Sequence, residues 1–476
     1  MFKKICLMTS MLAYVNTYAA ETTEIQTNID VEIDSERSLF VHDLATLNGA
    51  NFSLSRVFAQ LADQFNRANP SSPIDNVQLF ARFWDTQNPA PGFVEGGPKC
   101  TGVLNEFPLE CRIQEGLQAQ TPEEFLGSYI PLALINRFDL RDKNSFTDCG
   151  ESRIIFGLTN NPGRNFIIFE AQMPNPTPGL AAGCVPIVNF WKNLSAESDA
   201  SVRASLLDAF YFNGLPEDNV RPVIDIRNYA PKTGQIRTNQ FMGFTWVLKE
   251  FKTTVERGQS IIKPAPVKAN PFGEFFNNGR LAGIAVDFRN QFLNYMGSLL
   301  IEDISTFSLT IQSDGHNNGQ SHASGLELEE NDFMSHLDQG INQDFRNAIQ
   351  IRSGQLGSSL STNQIVNRAT AMTCGGCHQP SAFGLTNSDS VGDGQTWPET
   401  LGFTHVSEFA SDGVFPISPA LQEVFLPARK VDMESFIINP SNLSISFSTM
   451  SNVKLKNTQK SNSKTAKPIL IGKRSG

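Results

Sequence analysis

The chain has 476 residues, of which 40% are apolar and 18% charged. That composition excludes disordered and fibrous classes, and no internal stretch approaches the ~18–20 uninterrupted apolar residues of a membrane span. The net charge of −10 conceals a split. Residues 454–474 carry seven basic groups and no acid, which leaves residues 21–453 with 29 basic and 48 acidic groups, a net −19. Such a body repels nucleic acid and anionic membrane, so neither is an expected partner. Residues 441–476 are expected to be a disordered basic tail.

Residues 1–20 read as an export signal: Lys3 and Lys4, an apolar stretch from Ile5 to about Val15, and cleavage after Ala19 or Ala20. The expected address is the periplasm or the outside of a bacterium. The ~456 residues that remain suffice for two to four structural units at about 100–200 residues each. Cys6 falls within the signal, and six cysteines follow it. Cys100, Cys111, Cys149 and Cys184 are dispersed and even in number, as in an oxidising compartment. Three pairings are open, and the local pairs Cys100–Cys111 and Cys149–Cys184 are favoured because they close without demanding a particular tertiary fold.

In chain order, residues 21–50 are expected to be a flexible acidic lead-in. Asn51 to Ala68 reads as a helix, with Leu54, Val57, Phe58, Leu61 and Phe65 recurring at three and four. A second helix is predicted over Val77 to Trp84, then a Pro- and Gly-rich loop from Asn88 to Arg112. Thr121-Pro122-Glu123-Glu124 carries the signals of a helix start. Arg153–Leu158 and Asn165–Glu170 flank Asn-Asn-Pro-Gly-Arg and predict a β-hairpin. Further strands are predicted at Val223–Arg227, Gln235–Met242 and Phe244–Lys252, with helices over Ile187–Leu194 and Ser201–Tyr211. The expected fold class is α+β: residues 51–311 form a mixed domain with mostly antiparallel strands.

The predicted pattern then changes. A helix is expected from Leu281 to Leu300, and the Gly/Asn/Ser/His segment 312–325 is expected to be a linker loop. Helices follow at Leu326–Leu337, Ile341–Ile351 and Asn363–Thr373. Another starts at Ser418-Pro419, with Pro427 expected to kink or restart it before Asn439. Residues 326–440 are therefore expected to form an all-α domain.

Thr373-Cys374-Gly375-Gly376-Cys377-His378-Gln379 contains C-x-x-C-H, the attachment signature of c-type haem. Two thiols one helical turn apart can add to two vinyl groups on one porphyrin edge, and the next imidazole can then ligate the iron. Gly375 and Gly376 are expected to let the backbone approach the macrocycle closely. The motif and its lead-in helix resemble the c-type cytochrome family. The likeness covers about 110 of the 476 residues. It implies a cytochrome-c-like helical domain, one covalent haem c, thioether links at Cys374 and Cys377, and His378 as the proximal iron ligand. It also implies electron transfer with a redox partner protein or a small-molecule donor or acceptor. The chain departs from a simple carrier in having more than 300 residues before the motif and no clear loop holding a downstream Met. His405, 27 residues after His378, and Met433, 55 residues after it, are the candidates for the sixth ligand.

Other readings stay open. An accessible sixth position would suit a haem-dependent peroxidase or oxygenase. A Cys374–Cys377 disulfide, or zinc held by Cys374, Cys377, His378 and His405, would make the protein a non-redox binding module, and a thiol–disulfide exchange site is a separate reading of the same cysteines. His316 and His322 share a Gly-rich loop that reads as linker or as a supplier of metal ligands. His42 and His336 carry no signal of their own. Arg137, Asp139, Glu151 and Arg153 read as an ion-pair network beside a disulfide, or as the makings of a site for a small acidic or polar substrate.

Overall fold

The computed structural model describes residues 32–159, 165–241, 245–277, 279, 283–323, 330–340 and 343–438. The export signal, the Asn-Asn-Pro-Gly-Arg turn and the basic tail lie outside these residues. The described residues from Ile33 to Ile438 form one compact unit. The α+β class holds, and the sheet is antiparallel throughout.

In chain order the strands are β1 (Phe40–Val41), β2 (Val103–Leu104), β3 (Phe107–Pro108), β4 (Tyr129–Arg137), β5 (Asp148–Leu158), β6 (Asn165–Pro174), β7 (Gln235–Gln240), β8 (Trp246–Glu256), β9 (Gln259–Ala265) and β10 (Ser321–Ala323). β2 and β3 pair only with each other. The other eight form one sheet in the order β1-β4-β5-β6-β7-β8, and the far edge of β8 is shared. Trp246–Leu248 pair with β10, and Glu250–Glu256 pair with β9. Arg257 and Gly258, both at positive φ, make the two-residue turn between β8 and β9.

Alternation of side chains gives the sheet two unlike faces. On one face Phe169 and Phe251 meet Phe58 and Phe83 at ring-centroid distances of 6.1 and 4.7 Å. Those partners come from the helices Leu54–Ala68 and Asn76–Asp85. The first is capped by Ser53 and the second by a reciprocal Asp75–Gln78 box. The other face turns toward the C-terminal third of the chain and floors a cleft.

Several elements differ from expectation. The lead-in is ordered from Ile33: Asp34 caps a turn over Ser35–Leu39, and Phe40 and Val41 are buried as the edge strand beside β4. Five buried apolar residues between 33 and 47 outweigh the acidic composition that suggested flexibility. Val223–Arg227 is not a strand. Asp225 turns its carboxylate back onto the Arg227 amide at 2.9 Å and starts a 3₁₀ turn over Ile226–Tyr229. Thr121 gives its helix, Pro122–Ser128, no side-chain cap. Residues 321–323, within the expected linker, are strand β10. The helix beginning at Pro419 runs through to Ile438, wound as a π-helix over Ala420–Phe425 just before Pro427. Wider winding there relieves the clash and missing donor that a proline imposes.

A second core lies among the helices Gly283–Tyr295, Phe333–Asp338, Asp344–Gln355 and Thr362–Ala371. Phe275, Phe276, Phe288, Phe292, Phe333 and Phe345 fill it. Its last helix delivers the chain to the C-x-x-C-H turn.

Candidate functional site

Ser361 and Gln364 form a capping box at the start of Thr362–Ala371, which ends at Met372. Thr373 then caps a new turn, Cys374–His378, by accepting from the Gly376 amide at 3.0 Å. The turn is fastened to the sheet because Ser321 of β10 accepts from the Gly375 amide at 2.9 Å. A Cβ on Gly375 would stand 2.4 Å from the His322 carbonyl oxygen, and one on Gly376 would stand 1.9 Å from that of Thr370. Both glycines are therefore required by packing against β10 and the preceding helix.

His378 projects into the cleft, with Trp246 of β8 stacked on its ring at 5.2 Å and 27°. Trp246 donates its indole N–H to Asn239. The His378 Nδ1 lies 3.3 Å from the Phe403 carbonyl oxygen, and the Asn239 amide donates to that oxygen at 3.3 Å. A carbonyl can only accept, so Nδ1 carries the proton and Nε2 keeps its lone pair. Burial pushes His378 down to about 4, so the ring is neutral at ordinary pH, the form a metal requires.

Cys374 packs beside Trp246, Leu248 and Ala323, whereas Cys377 packs beside Leu385, Val391 and Trp397. Both thiols are free, and burial raises them to about 11 and about 12 respectively. Thiol–disulfide exchange needs a thiolate, which this buried environment opposes. Among the described residues, no group of three or more His, Cys, Asp or Glu side chains is gathered so as to hold a bare metal ion.

The cleft has a cavity volume of about 110 Å³, below the ~300–1,000 Å³ of sites for small molecules and cofactors. Ile135, Ile155, Phe166, Ile168 and Leu248 rise from the sheet as an apolar floor. Arg137, Arg153, Glu170 and Arg237 follow on the same face. His378, His405, Leu421 and Arg429 close the other side. An apolar floor bordered by guanidinium groups and facing an imidazole with a free Nε2 offers the contacts that a haem's ring, carboxylates and iron would use, but a cleft of this volume must widen to admit one.

His405 also lines this cleft. Its Nδ1 lies 2.9 Å from the Ser418 hydroxyl and its Nε2 3.5 Å from the Cys377 sulfur. Its ring centroid is 4.7 Å from that of His378. Two metal–nitrogen bonds of about 2 Å plus the ring radii need over ~6 Å, so His405 must swing outward to share an iron with His378. Met433 is absent from the lining. It is buried on the helix Leu426–Ile438, with its sulfur 3.5 Å from the Asn136 amide nitrogen.

The paired histidines of the 312–325 segment part company. His316 sits edge-on to Phe275 and Phe288 and meets Asp287 at 3.1 Å. His322 lies 3.7 Å from a Glu110 carboxylate oxygen, and burial and the nearby Arg112 and Lys249 charges hold it down at about 4. His42 faces the Phe415 carbonyl at 2.6 Å, and His336 is buried beside Gly273.

The disulfides are Cys100–Cys111 and Cys149–Cys184. No helix among the described residues is long and apolar enough to cross a membrane. Arg137 of β4 and Arg153 of β5 form ion pairs and line the cleft at once: Arg137 bonds Asp139 at 2.8 Å and Arg153 pairs with Glu151, two carboxylates that are not part of the lining. Sequence reasoning missed Glu170, Arg237, Arg429 and Trp246. The available signal was the charge that closes the apolar run Phe166-Ile-Ile-Phe-Glu170, whereas the polar strand Gln235–Gln240 gave none for Arg237. Comparison of the chain with protein-family models, with curated proteins and with solved structures finds no match.

Proposed function

We propose that this chain is an exported, periplasmic or secreted c-type haem protein that carries one covalent haem and transfers electrons. The observation that carries the reading is the C-x-x-C-H turn set at a cleft with an apolar floor and a guanidinium border, its imidazole turned so that Nε2 is free. The two disulfides agree with an oxidising compartment.

Cys374 and Cys377 would each form a thioether by giving sulfur to one vinyl carbon and hydrogen to the other, which consumes the thiol whole. His378 would hold the iron through Nε2, with the Phe403 carbonyl fixing the tautomer and Trp246 fixing the ring plane. Such outer partners orient a ligand and raise its basicity. The haem supplies a one-electron couple at its iron. The sheet floor excludes water from the ring face, which favours the less charged state of the iron.

Protein purified from a bacterium that attaches c-type haem is expected to give a haemochrome spectrum of the two-thioether type at one haem per chain. Cys374→Ser is expected to shift that band toward a one-thioether type. A colourless protein from such a host would sink the proposal and leave a non-redox binding module.

His405 is the better sixth ligand, because it lines the cleft and Ser418 holds its Nδ1 side, whereas Met433 is packed against Asn136. His405→Ala is accordingly expected to convert low-spin absorption bands to high-spin ones, while Met433→Leu leaves them unchanged. The reverse pattern would exchange the two assignments. An oxidised wild type already high-spin would favour peroxide or oxygen chemistry at an open position.

A further inference from the structure

Three of the four arginines at the cleft are matched by carboxylates. Arg137 is bidentate on Asp139. Arg153 pairs with Glu151 and, at 2.9 Å, with Glu170. Arg237 meets Glu170 and Glu250, both at 3.2 Å. Arg429 is different. Its side chain is only 10% exposed, and its closest acidic partner is Asp139 at 3.8 Å, a carboxylate that Arg137 has already engaged. No hydrogen bond satisfies its donors among the described residues, although it lines the cleft with Leu421 and Val406 beside it. A buried guanidinium without an acceptor is costly, because desolvation is not offset by a partner. Burial and the Arg137 charge push Arg429 down to about 9, which still leaves it charged at neutral pH.

The geometry points to a carboxylate-binding subsite centred on Arg429, taking an acid whose apolar body rests on the Ile135–Ile155–Ile168 floor. Guanidinium groups pair with carboxylates through two parallel N–H donors, so an arginine whose one carboxylate neighbour stands beyond hydrogen-bond distance keeps the donor set for another. Two sources share this chemistry: a propionate of the cleft's own haem, and a free organic acid held beside it. The subsite itself does not depend on the haem reading; only the choice between sources does.

The test uses benzoate as probe, with benzamide as its uncharged control, in titration calorimetry on the full chain. Protein made in a host without haem-attachment machinery, with native near-ultraviolet circular dichroism, is expected to bind benzoate at least tenfold tighter than benzamide. R429M should lose at least tenfold in benzoate affinity, and R429K, which keeps the charge but not the two-donor fork, should fall between. In the haem-loaded chain, benzoate binding that still depends on Arg429 identifies a free acid as the ligand. Exclusion of benzoate, together with a shift of the propionate bending band of the resonance Raman spectrum in R429M, identifies the haem carboxylate. The subsite is overturned if R429M alters neither benzoate affinity nor that band, or if benzamide binds as well as benzoate. If no haem is ever attached, the haem-free arm alone decides.

Discussion

Replacing Arg368 with Met is expected to lower the free energy of unfolding by about 3–5 kcal/mol, the cost of removing one partner from a buried, hydrogen-bonded charge pair. Arg368 is fully buried on the helix Thr362–Ala371, six residues before Cys374. Its guanidinium donates to the carbonyls of Leu299 and Ile301 at 2.8 Å and to that of Val391, and pairs with Asp393 at 2.6 Å. Its face rests on Phe307 at 4.3 Å. Met would fill much of the volume but leave three carbonyls and a carboxylate without their donor. Lys keeps the charge yet cannot span acceptors on two chain segments, 299–301 and 391–393, so Arg368→Lys should fall between. Denaturant unfolding measures the change, and a loss below ~1 kcal/mol for Arg368→Met would contradict this account. Because the helix feeds the C-x-x-C-H turn, the same variant should also load less haem per chain.

The second large effect concerns Glu170. Burial alone would raise its carboxyl, but the Arg153 and Arg237 guanidiniums and the Gln235 amide outweigh burial and hold it well below the usual carboxylate range. A depressed folded value means stability that is fully present above the unfolded value, about 4.3, and is lost as pH falls toward the folded one. Glu170→Gln should therefore cost about 3 kcal/mol at pH 7, since it leaves two buried guanidiniums short of a charge. The difference between wild type and variant should shrink as the medium is acidified below pH ~4. Unfolding curves recorded at several pH values decide the matter. A difference that stays constant with pH would show that the loss comes from packing and not from charge.

Much of the fold was legible where the signal is local. The β5–β6 hairpin announced itself through two apolar runs around a turn, and the helix Leu54–Ala68 through its period. β4 escaped because Pro131 interrupts it and because residues on both its faces are buried, which erases alternation. The sheet accommodates that proline with a register shift between Pro131 and Ala133. β9 escaped because its turn, Arg257-Gly258, was too slight a break after a long strand.

The candidate site divides in the same way. Cys374, Cys377 and His378 are adjacent in sequence, and their spacing alone announces their chemistry. The cleft that His378 faces is built from residues between 40 and 429, brought together by strand register, and neither cysteine lines it. Arg153, Glu170 and Arg237 line up only because β5, β6 and β7 are neighbours with side chains in phase. No sequence pattern encodes that alignment. The ion-pair reading of Arg137 and Arg153 missed half of what they do, because it took no account of which face of the sheet they share.

The order of the cysteines bears on how the chain matures. Cys100 joins Cys111 and Cys149 joins Cys184, so each sulfur bonds its nearest neighbour along the chain. An oxidant acting on residues in their order of emergence would install both bridges without reshuffling, and an isomerase would have nothing to correct. The same rule applied once more joins Cys374 to Cys377. A chain that needs those two sulfurs as thiols must therefore meet a reductant, or surrender them to their cofactor, before the rule that serves its other four cysteines reaches the last pair.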